Sequence, residues 1–302
     1  MKRLRILLFG ASGFVGSSVA ATLAADPRVT SLTSPGRAQH DLVTGGIAAL
    51  TALVRQASPD VVVNCTGRLG GTALDLLEAN TVATVRLIDA VAAAAPGARL
   101  VRLGSAGEYG PVAHGVSVAE DHPCAPVGEY GTTHLAGTRL LQLATAAGQV
   151  DGVTLRLFNP IGPNLNRDNL LGRAAVLIRD ALAGAAGQVL LGPLGAYRDF
   201  VDVRDVAAAV TAAATASEPG AGVVNIGSGR AVTAREAVRR LAETAGYSGA
   251  IMEQGAGPAR SAGVDWIRAD ITRAEAVLGW VPTHTLAESV KQIWATLDGA
   301  GR

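Results

Sequence analysis

Residues 4–16 read LRILLFGASGFVG, and this stretch decides the fold. Its first part, residues 4–9, is an almost unbroken apolar run, which is typical of a strand buried on both faces of a parallel sheet. Gly10, Gly13 and Gly16 follow at once, and apolar residues then recur at helical spacing. Strand, glycine turn and helix in this order are the context that a dinucleotide-binding fingerprint requires.

The three glycines have separate roles in such a turn. Gly10 permits the tight bend, Gly13 lets the backbone approach a pyrophosphate, and Gly16 lets the helix lie close to the strand. The first N–H groups of the helix and the positive end of its dipole then face the phosphates. We therefore predict cofactor contacts along the turn, at Gly10, Ser12, Gly13, Phe14, Val15 and Gly16.

Composition limits the partners. The 302 residues are 49% apolar and 17% charged, which is typical of a globular chain with a large core. A formal net charge of +1 gives no reason to expect nucleic acid or an acidic membrane as a partner. Cys65 and Cys124 are too few for a disulfide framework and lack metal-ligand spacing, so we expect no metal. Without a signal-peptide or membrane-span pattern, we expect a cytoplasmic protein with a small-molecule substrate, and a homodimer is an option.

Strand and helix patterns alternate through the first half of the chain. After the first helix, strands are predicted at residues 29–33, 60–65, 99–103 and 153–158, and helices at 48–56, 74–95 and 127–147. This alternation predicts an α/β fold with a doubly wound, mostly parallel sheet of the Rossmann type, as a dinucleotide-binding domain over residues 1–160.

The pattern changes beyond residue 160. Short strands are predicted at residues 189–191, 200–203 and 223–226, among further helices. We predict a smaller C-terminal α/β unit over residues 161–302, mainly for substrate binding, with some segments returning to the main sheet.

The end of the second strand indicates which cofactor is bound. A carboxylate there would bind the adenosine ribose hydroxyls and favour NAD. The segment reads LTSPGR over residues 32–37 and contains no acid, whereas Ser34 and Arg37 suit a 2′-phosphate. We therefore predict NADP rather than NAD, although Arg37 as an ordinary solvated charge is the alternative. Asp41 and Leu42 are predicted beside the adenine.

Further motifs carry a resemblance to a known family. Besides the glycine turn, they are NCTG at residues 64–67, Asn80 in EANTVAT, GSAGEYG at 104–110, YGTTH at 130–134, FNPIGP at 158–163, RDFV at 198–201, NIGSG at 225–229 and LGWVP at 278–282. Together they resemble the extended short-chain dehydrogenase/reductases, the group of nucleotide-sugar epimerases, dehydratases and reductases. The resemblance covers nearly the whole chain.

The resemblance implies roles for particular residues. It makes Ser105, Tyr130, His134 and Asn80 catalytic, and it adds Cys65, Thr66, Gly67, Asn80, Tyr130, His134, Phe158 and Pro160 to the cofactor contacts. Reduction of a ketone needs a hydride from the cofactor and a proton for the developing alkoxide. The phenol of Tyr130 can give that proton, and the Ser105 hydroxyl can hydrogen-bond the carbonyl oxygen. Asn80 would support a proton-relay water.

The substrate side is less defined. The resemblance implies contacts from Ser105, Asn159, Asn164 and Arg198. A planar guanidinium at position 198 suits the diphosphate of a nucleotide-sugar. A structural pair of Arg198 with Asp199 or Asp202 is the alternative.

One position departs from the family pattern. The family has a lysine four residues after the tyrosine, where this chain has His134, and the only lysines are Lys2 and Lys291. Histidine can hydrogen-bond a ribose hydroxyl and, when protonated, can stabilise a tyrosinate. Its reference pKa is about 6.5, so it is mostly neutral at neutral pH unless an acid such as Glu129 or Asp151 supports its charge. We expect a slower enzyme, or one with a different pH dependence.

The sequence therefore predicts an NADP(H)-dependent reductase of a ketone, with a 4-keto-deoxy nucleotide-sugar as the expected substrate. Three alternatives stay open. They are a nucleotide-sugar epimerase or dehydratase that holds NAD(P) tightly, a natural-product (polyketide) ketoreductase, and a cofactor-binding sensor without catalysis.

Overall fold

The computed structural model describes residues 3–184, 188–216, 222–255, 257 and 263–299. The strands are β1 (Leu4–Phe9), β2 (Val29–Thr33), β3 (Val61–Asn64), β4 (Arg99–Ser105), β5 (Asp151–Leu157), β6 (Val189–Leu191), β7 (Tyr197–Asp199), β8 (Gly222–Ile226), β9 (Ala231–Thr233) and β10 (Ile251–Glu253). The helices are α1 (Phe14–Ala25), α2 (Ile47–Ala57), α3 (Ala73–Leu77), α4 (Ala83–Ala94), α5 (Glu129–Ala146), α6 (Leu170–Leu182), α7 (Val203–Thr215), α8 (Ala234–Ala245), α9 (Thr272–Leu278) and α10 (Leu286–Gly299).

A six-stranded parallel sheet forms the centre, in the order β2-β1-β3-β4-β5-β8. The apolar runs that predicted its strands are buried: all four residues of β3 are, and five of the six in β1. Helices α1 and α7 pack against each other, and α4 packs against α2 and α5. Since helices flank a parallel sheet, the predicted fold class is confirmed.

The sheet places two predicted cofactor segments side by side. The chain runs from β1 to β2 on one side and then returns to β3 on the other side of β1. Connections that leave in opposite directions open a crevice at the carboxyl ends of neighbouring strands, where ligands bind in such sheets. The glycine turn follows β1 and the Cys65-Thr66-Gly67 segment follows β3, so both border this crevice.

A second core lies in the C-terminal part. Helices α6, α8 and α10 pack together there, beside the paired strands β6 and β10, and β7 pairs with β9 in antiparallel fashion. Other late segments join the main sheet: β8 is one of its two edge strands, and Val206, Ala274 and Trp280 belong to the core of one of its faces. A division into domains at residue 160 stays a prediction.

The predicted helix at residues 74–95 contains an unpredicted feature. It consists of α3, a π-helical turn over Glu78–Val82, and α4. Asn80 lies in the π-helical turn. The Ala83 N–H donates there to the carbonyl of Glu78, five residues earlier, whereas an α-helix would use the carbonyl four residues earlier. Single π turns inside α-helices are rare and occur frequently at functional sites.

The strand predicted at residues 200–203 is wrong. The local strand is β7, which ends at Asp199, and residues 200–202 lead into α7. The Asp202 carboxylate accepts the Arg204 N–H at 2.8 Å, and this N-cap starts a helix at Val203. The apolar residues in this stretch thus serve a helix start rather than a strand.

Within the part of the chain that the structure describes, no helix is both long enough and apolar enough to cross a membrane.

Candidate active site

The three glycines of the turn differ in the space that surrounds them. Gly10 has φ +82°, and a Cβ there would lie 2.8 Å from the Cys65 carbonyl carbon, while one on Gly16 would lie 1.9 Å from the Gly10 oxygen. Packing of the protein itself therefore requires these two glycines. A Cβ on Gly13 would come no closer than 3.4 Å to the Gly10 oxygen, so the fold would tolerate a side chain there.

The lack of a side chain at Gly13 is explained by access of a ligand to the turn and not by packing of the protein. It is exposed, and it is the N-cap of α1, whose first turn has neither a side-chain cap nor an acidic residue. The helix N–H groups thus face an open surface next to exposed Ser12, with Phe14 and Val15 half-buried behind them. These residues fit the pyrophosphate of a dinucleotide.

The loop after β3 meets two other predicted residues. Both the N–H and the hydroxyl of Thr66 donate to Asn64 Oδ1, at 3.0 and 2.6 Å, which shapes this loop. A Cβ on Gly67 would lie 3.2 Å from Asn80 Oδ1 and 3.9 Å from His134 Cε1. The structure therefore brings Gly67, Asn80 and His134 together at the crevice.

An exposed cation, Arg37, lies shortly after the end of β2. Ser34 and Arg37 are both exposed, and Arg37 forms no ion pair with the residues that the structure describes. Asp41 accepts the Val43 N–H at 2.7 Å, and this hydrogen bond, with a smaller effect from the Arg37 charge, lowers its pKa. Leu42 is buried in the core of one sheet face, so its side chain anchors the loop.

Ser105 and Tyr130 lie on two sides of one glycine. Ser105 ends β4, and its Oγ accepts the Gly107 N–H at 3.1 Å, while its own N–H donates to Glu108 Oε1 at 3.0 Å. A Cβ on Gly107 would lie 3.4 Å from Ser105 Oγ and 3.4 Å from two carbons of the Tyr130 ring. Gly107 thus lets the hydroxyl and the phenol ring approach each other.

The rings of Tyr130 and His134 lie against each other, tilted, one turn apart on α5. Their ring centroids are 4.7 Å apart with an interplanar angle of 60°. This follows from the i, i+4 spacing on a helix. His134 is 6% exposed.

His134 is held neutral. Burial, together with the nearby Arg102 charge, keeps its pKa well below the usual value. Neither acid considered from the sequence supports a charge on the ring: Glu129 is exposed, and Asp151 pairs with Arg99 at 2.8 Å. The sequence left support from one of these carboxylates open, and the structure gives the ring none from either of them.

Arg102 is a site residue that sequence reasoning missed. It is 2% exposed, and its guanidinium donates from Nε to Thr84 Oγ1 and from Nη1 to Thr138 Oγ1, both at 3.0 Å. Nη2 donates to the His134 carbonyl at 3.1 Å and to the Asn80 carbonyl at 3.3 Å, and it lies 3.5 Å from His134 Nδ1. The available signal was an arginine inside the otherwise apolar run LVRLG.

A second glycine makes room for this guanidinium. A Cβ on Gly137 would lie 2.6 Å from Arg102 Nη2 and 2.8 Å from the Asn80 carbonyl oxygen. Among the described residues no carboxylate lies within ion-pair distance of Arg102. Desolvation by burial lowers the pKa of Arg102, so this cation is costly to hold here.

Asn80 connects the loop after β3 to α5. Its Oδ1 accepts the Arg68 N–H at 2.8 Å, and its Nδ2 donates to the Arg68 carbonyl and to Thr133 Oγ1, both at 3.2 Å. Both ends of the amide are thus engaged by protein groups. A role in a proton-relay water stays a prediction.

The segment after β5 is held by a buried side chain and by hydrogen bonds between side chains and the backbone. Phe158 is fully buried, and the side chain of Asn159, at φ +36°, donates to the Asp199 carbonyl at 2.9 Å. Pro160 is half-buried, whereas Asn164 is exposed at φ +62° and its N–H donates to Thr296 Oγ1 at 3.0 Å.

Arg198 is half-buried and does not pair with either predicted carboxylate. The Asp199 carboxylate accepts the N–H groups of Ser228 and Gly229, and Asp202 pairs with Arg204. The structural pair considered as an alternative is therefore wrong. Arg198 Nη1 donates to the Tyr197 carbonyl at 2.8 Å, and burial lowers its pKa.

Comparison with known proteins agrees with this arrangement. The family model of the NAD dependent epimerase/dehydratase family matches residues 6–227. The chain belongs to this family. The resemblance inferred from the motifs is thus confirmed, and the protein is an NAD(P)-dependent enzyme of the extended short-chain dehydrogenase/reductase type.

Similar proteins cover nearly the whole chain. The dTDP-6-deoxy-L-talose 4-dehydrogenase (NAD(P)(+)) of Kitasatospora kifunensis is 42% identical, over 98% of this chain and 96% of that protein. The UDP-glucose 4-epimerase of Azospirillum brasilense is 31% identical, over 95% of this chain and 89% of that protein. Among solved structures, RMD from Pseudomonas aeruginosa complexed with NADPH is 25% identical with a TM-score of 0.86, and covers 99% of this chain and 100% of its own.

Proposed function

We propose that this protein interconverts the C4 hydroxyl and the C4 ketone of a dTDP-6-deoxyhexose, with NADP(H) as cofactor. In the reductive direction it would reduce the 4-keto-deoxy sugar nucleotide. The observation that carries this proposal is the 42% identity, over 98% of the chain, to a dTDP-6-deoxy-L-talose 4-dehydrogenase.

The glycine turn and the end of β2 support the cofactor assignment. Gly13 and the N–H groups of α1 would hold the pyrophosphate, and exposed Ser34 and Arg37 would hold the 2′-phosphate of NADP. The NADPH complex of a structural neighbour agrees with this assignment. When bound, the nicotinamide supplies the electron pair for reduction and takes it back in oxidation.

Two side chains of this protein would act at the C4 oxygen. The Tyr130 phenol gives the proton to the developing alkoxide in reduction and becomes a phenolate, and the phenolate takes the proton of the C4 hydroxyl in oxidation. The Ser105 hydroxyl donates a hydrogen bond to the same oxygen, while its Oγ stays oriented by the Gly107 N–H at 3.1 Å. Their approach across Gly107 supports these roles.

The anionic part of the substrate would lie against Arg198. This half-buried guanidinium forms no ion pair with the described residues, although the Asp265 charge acts on it, and a planar fork of donors matches a diphosphate. Asn159 and Asn164 are proposed as further substrate contacts. Assembly as a homodimer and a cytoplasmic location stay predictions.

The experiment uses the purified full chain with dTDP-6-deoxy-L-talose and either NADP or NAD, followed by the absorbance of the reduced nicotinamide. We expect turnover with a preference for NADP, and a loss of about 10²- to 10⁴-fold in kcat for Tyr130→Phe, because the acid–base group is gone. Arg37→Ala should raise KM for NADP about 10- to 100-fold and leave KM for NAD nearly unchanged.

Two outcomes would contradict the proposal. Binding of NADPH without turnover of this sugar nucleotide in either direction would reject the substrate. Equal effects of Arg37→Ala on both cofactors would reject the 2′-phosphate contact.

The epimerase alternative is favoured by the 31% identity to a UDP-glucose 4-epimerase. An epimerase regenerates its own cofactor, so it would convert a sugar nucleotide to its C4 epimer with no cofactor added. NMR of the sugar products after incubation without added NADP separates the two functions.

A further inference from the structure

We propose that Arg102 is a positioning residue that fixes His134 as the neutral tautomer with its hydrogen on Nε2, and that its guanidinium supplies the positive charge behind Tyr130. The tautomer follows from the contacts alone, whereas its catalytic consequence rests on the proposed function.

The tautomer follows from the donors of arginine. A guanidinium carries only N–H donors and no acceptor. Arg102 Nη2 lies 3.5 Å from His134 Nδ1, so a hydrogen on Nδ1 would point at a cation. Nδ1 therefore keeps its lone pair, and the single hydrogen of a neutral imidazole lies on Nε2.

The pocket holds the guanidinium in one orientation. Its three nitrogens donate to the hydroxyls of Thr84 and Thr138 and to the carbonyls of Asn80 and His134. The π-helical turn offers the Asn80 carbonyl, and the missing side chain of Gly137 leaves the space. The π-helical turn, α4 and α5 thus build a site for one buried cation of β4.

The charge of Arg102 is not neutralised by a direct partner among the described residues. The carboxylate whose charge acts on it is Glu108, which pairs with Arg156 at 2.8 Å. Arg156 repels Arg102 and Tyr130 attracts it. These groups and His134 are the charged or titratable neighbours from β4, β5, the Ala106–Glu108 turn and α5.

His134 and Arg102 together would supply the hydrogen-bond donor and the positive charge that a single lysine ammonium group supplies in the family pattern. His134 Nε2–H is a donor toward the crevice without adding charge, since the ring edge at Cε1 faces Gly67. Arg102 lies deeper and adds the charge without reaching the ligand. A cation at this place favours the phenolate of Tyr130 and so helps the phenol release its proton.

The decisive measurement is two-bond ¹H–¹⁵N NMR of the full chain with ¹⁵N-labelled histidine, from about pH 5.5 to about pH 8. His134→Gln assigns the signal. We expect His134 to stay neutral with hydrogen on Nε2 over this range. Titration of His134 near pH 6.5, or a hydrogen on Nδ1, would overturn the proposal.

Variants then test Arg102 itself. In Arg102→Gln the cation is lost, and we expect His134 to begin to titrate within the range, whereas Arg102→Lys should keep it neutral. Arg99→Lys is the matched control: it lies on the same strand, pairs with Asp151 at 2.8 Å, and should leave the His134 signal unchanged. Equal spectra of the Gln and Lys variants would reject the role of charge. If the Gln variant does not fold, the wild-type and Lys spectra still decide the tautomer.

Kinetics separate this inference from the proposed function. We expect kcat to fall about 10- to 100-fold in Arg102→Gln, with KM for NADPH nearly unchanged and with recovery in Arg102→Lys. An equal loss in both variants would indicate a packing role. Should the sugar nucleotide not be a substrate, the NMR result would stand, and only the substrate assignment would fail.

Discussion

Two buried arginines lie on neighbouring strands of the same sheet, and only one of them is neutralised. Arg102 of β4 and Arg156 of β5 are 2% and 1% exposed. Arg156 is paired in register with Gly104, two residues beyond Arg102, so both side chains lie on the same face. Arg156 binds Glu108 at 2.8 Å and lies 4.5 Å from the Tyr109 ring centroid. The Arg102 guanidinium donates hydrogen bonds to hydroxyl and carbonyl oxygens instead.

The two arginines show that one sheet can hold one buried cation for stability and another for the chemistry of the site. A buried ion pair is hard to disrupt, because loss of one partner leaves an unpaired charge. A buried cation without a carboxylate costs stability, and such groups are found where a site needs their field. We infer that Arg156 holds the Ser105–Tyr109 region in place, whereas Arg102 acts on Tyr130 and His134.

The largest effect should come from removing the paired arginine. Arg156→Met leaves the Glu108 carboxylate buried without its cationic partner, and we expect the free energy of unfolding to fall by about 3–5 kcal/mol in urea titrations. Arg179→Met is the control, because Arg179 and Asp180 form an exposed pair, and its effect should stay below about 0.5 kcal/mol. Equal losses in both variants would contradict the comparison.

Filling the space beside Arg102 should have the next largest effect. A Cβ at Gly137 would press on Arg102 Nη2 and on the Asn80 carbonyl, so Gly137→Ala should lower the free energy of unfolding by about 2 kcal/mol. Gly97→Ala is the matched control, since nothing lies within 4 Å of its added Cβ. The same measurement applies, and a stabilised Gly137→Ala would show that the guanidinium is not confined.

Removing the unpaired arginine should cost less than either change. Arg102→Met leaves no carboxylate behind, and the Thr84 hydroxyl still donates to the Asn80 carbonyl at 3.1 Å. We expect a loss of about 1 kcal/mol in the free energy of unfolding. A loss larger than that of Arg156→Met would reverse the comparison and reject it.

The last effect is a pH dependence of stability, which is absent at neutral pH and grows only as the pH falls. His134 has a folded pKa below its unfolded value, so below about pH 6.5 the unfolded chain binds a proton that the folded chain does not. Stability from this residue is therefore complete above that pH and is lost as pH falls, by at most about 1.4 kcal/mol per pH unit. The difference in unfolding free energy between wild type and His134→Gln should shrink on acidification, and shrink less in an Arg102→Met background. A constant difference would reject the neutral histidine.

Much of this site could be predicted from local sequence. The apolar run before Gly10 and the helical pattern after Gly16 specify a strand and a helix through nearest-neighbour geometry. The spacing of Tyr130 and His134 alone places their rings on one helix face, and they lie 4.7 Å apart.

Other features had no local signature. A π-helical turn at Asn80 arises from one extra residue within a helical pattern and leaves the apolar periodicity almost intact. At residues 200–203 the side chain of Asp202 competes as a helix cap with a strand-like composition. The protonation state of His134 could not be derived either, because its neighbour in space is 32 residues away in sequence.

The sequence by itself determined the order of the strands and helices of the main sheet, the glycine turn, and the pairing of Tyr130 with a histidine where lysine is usual. These follow from periodicity, backbone freedom and helix spacing, which act within a few residues. Only the tertiary structure decided that Arg102 is buried behind that histidine. Whether a charged side chain can leave water depends on the hydroxyls, carbonyls and empty space that distant segments bring together around it.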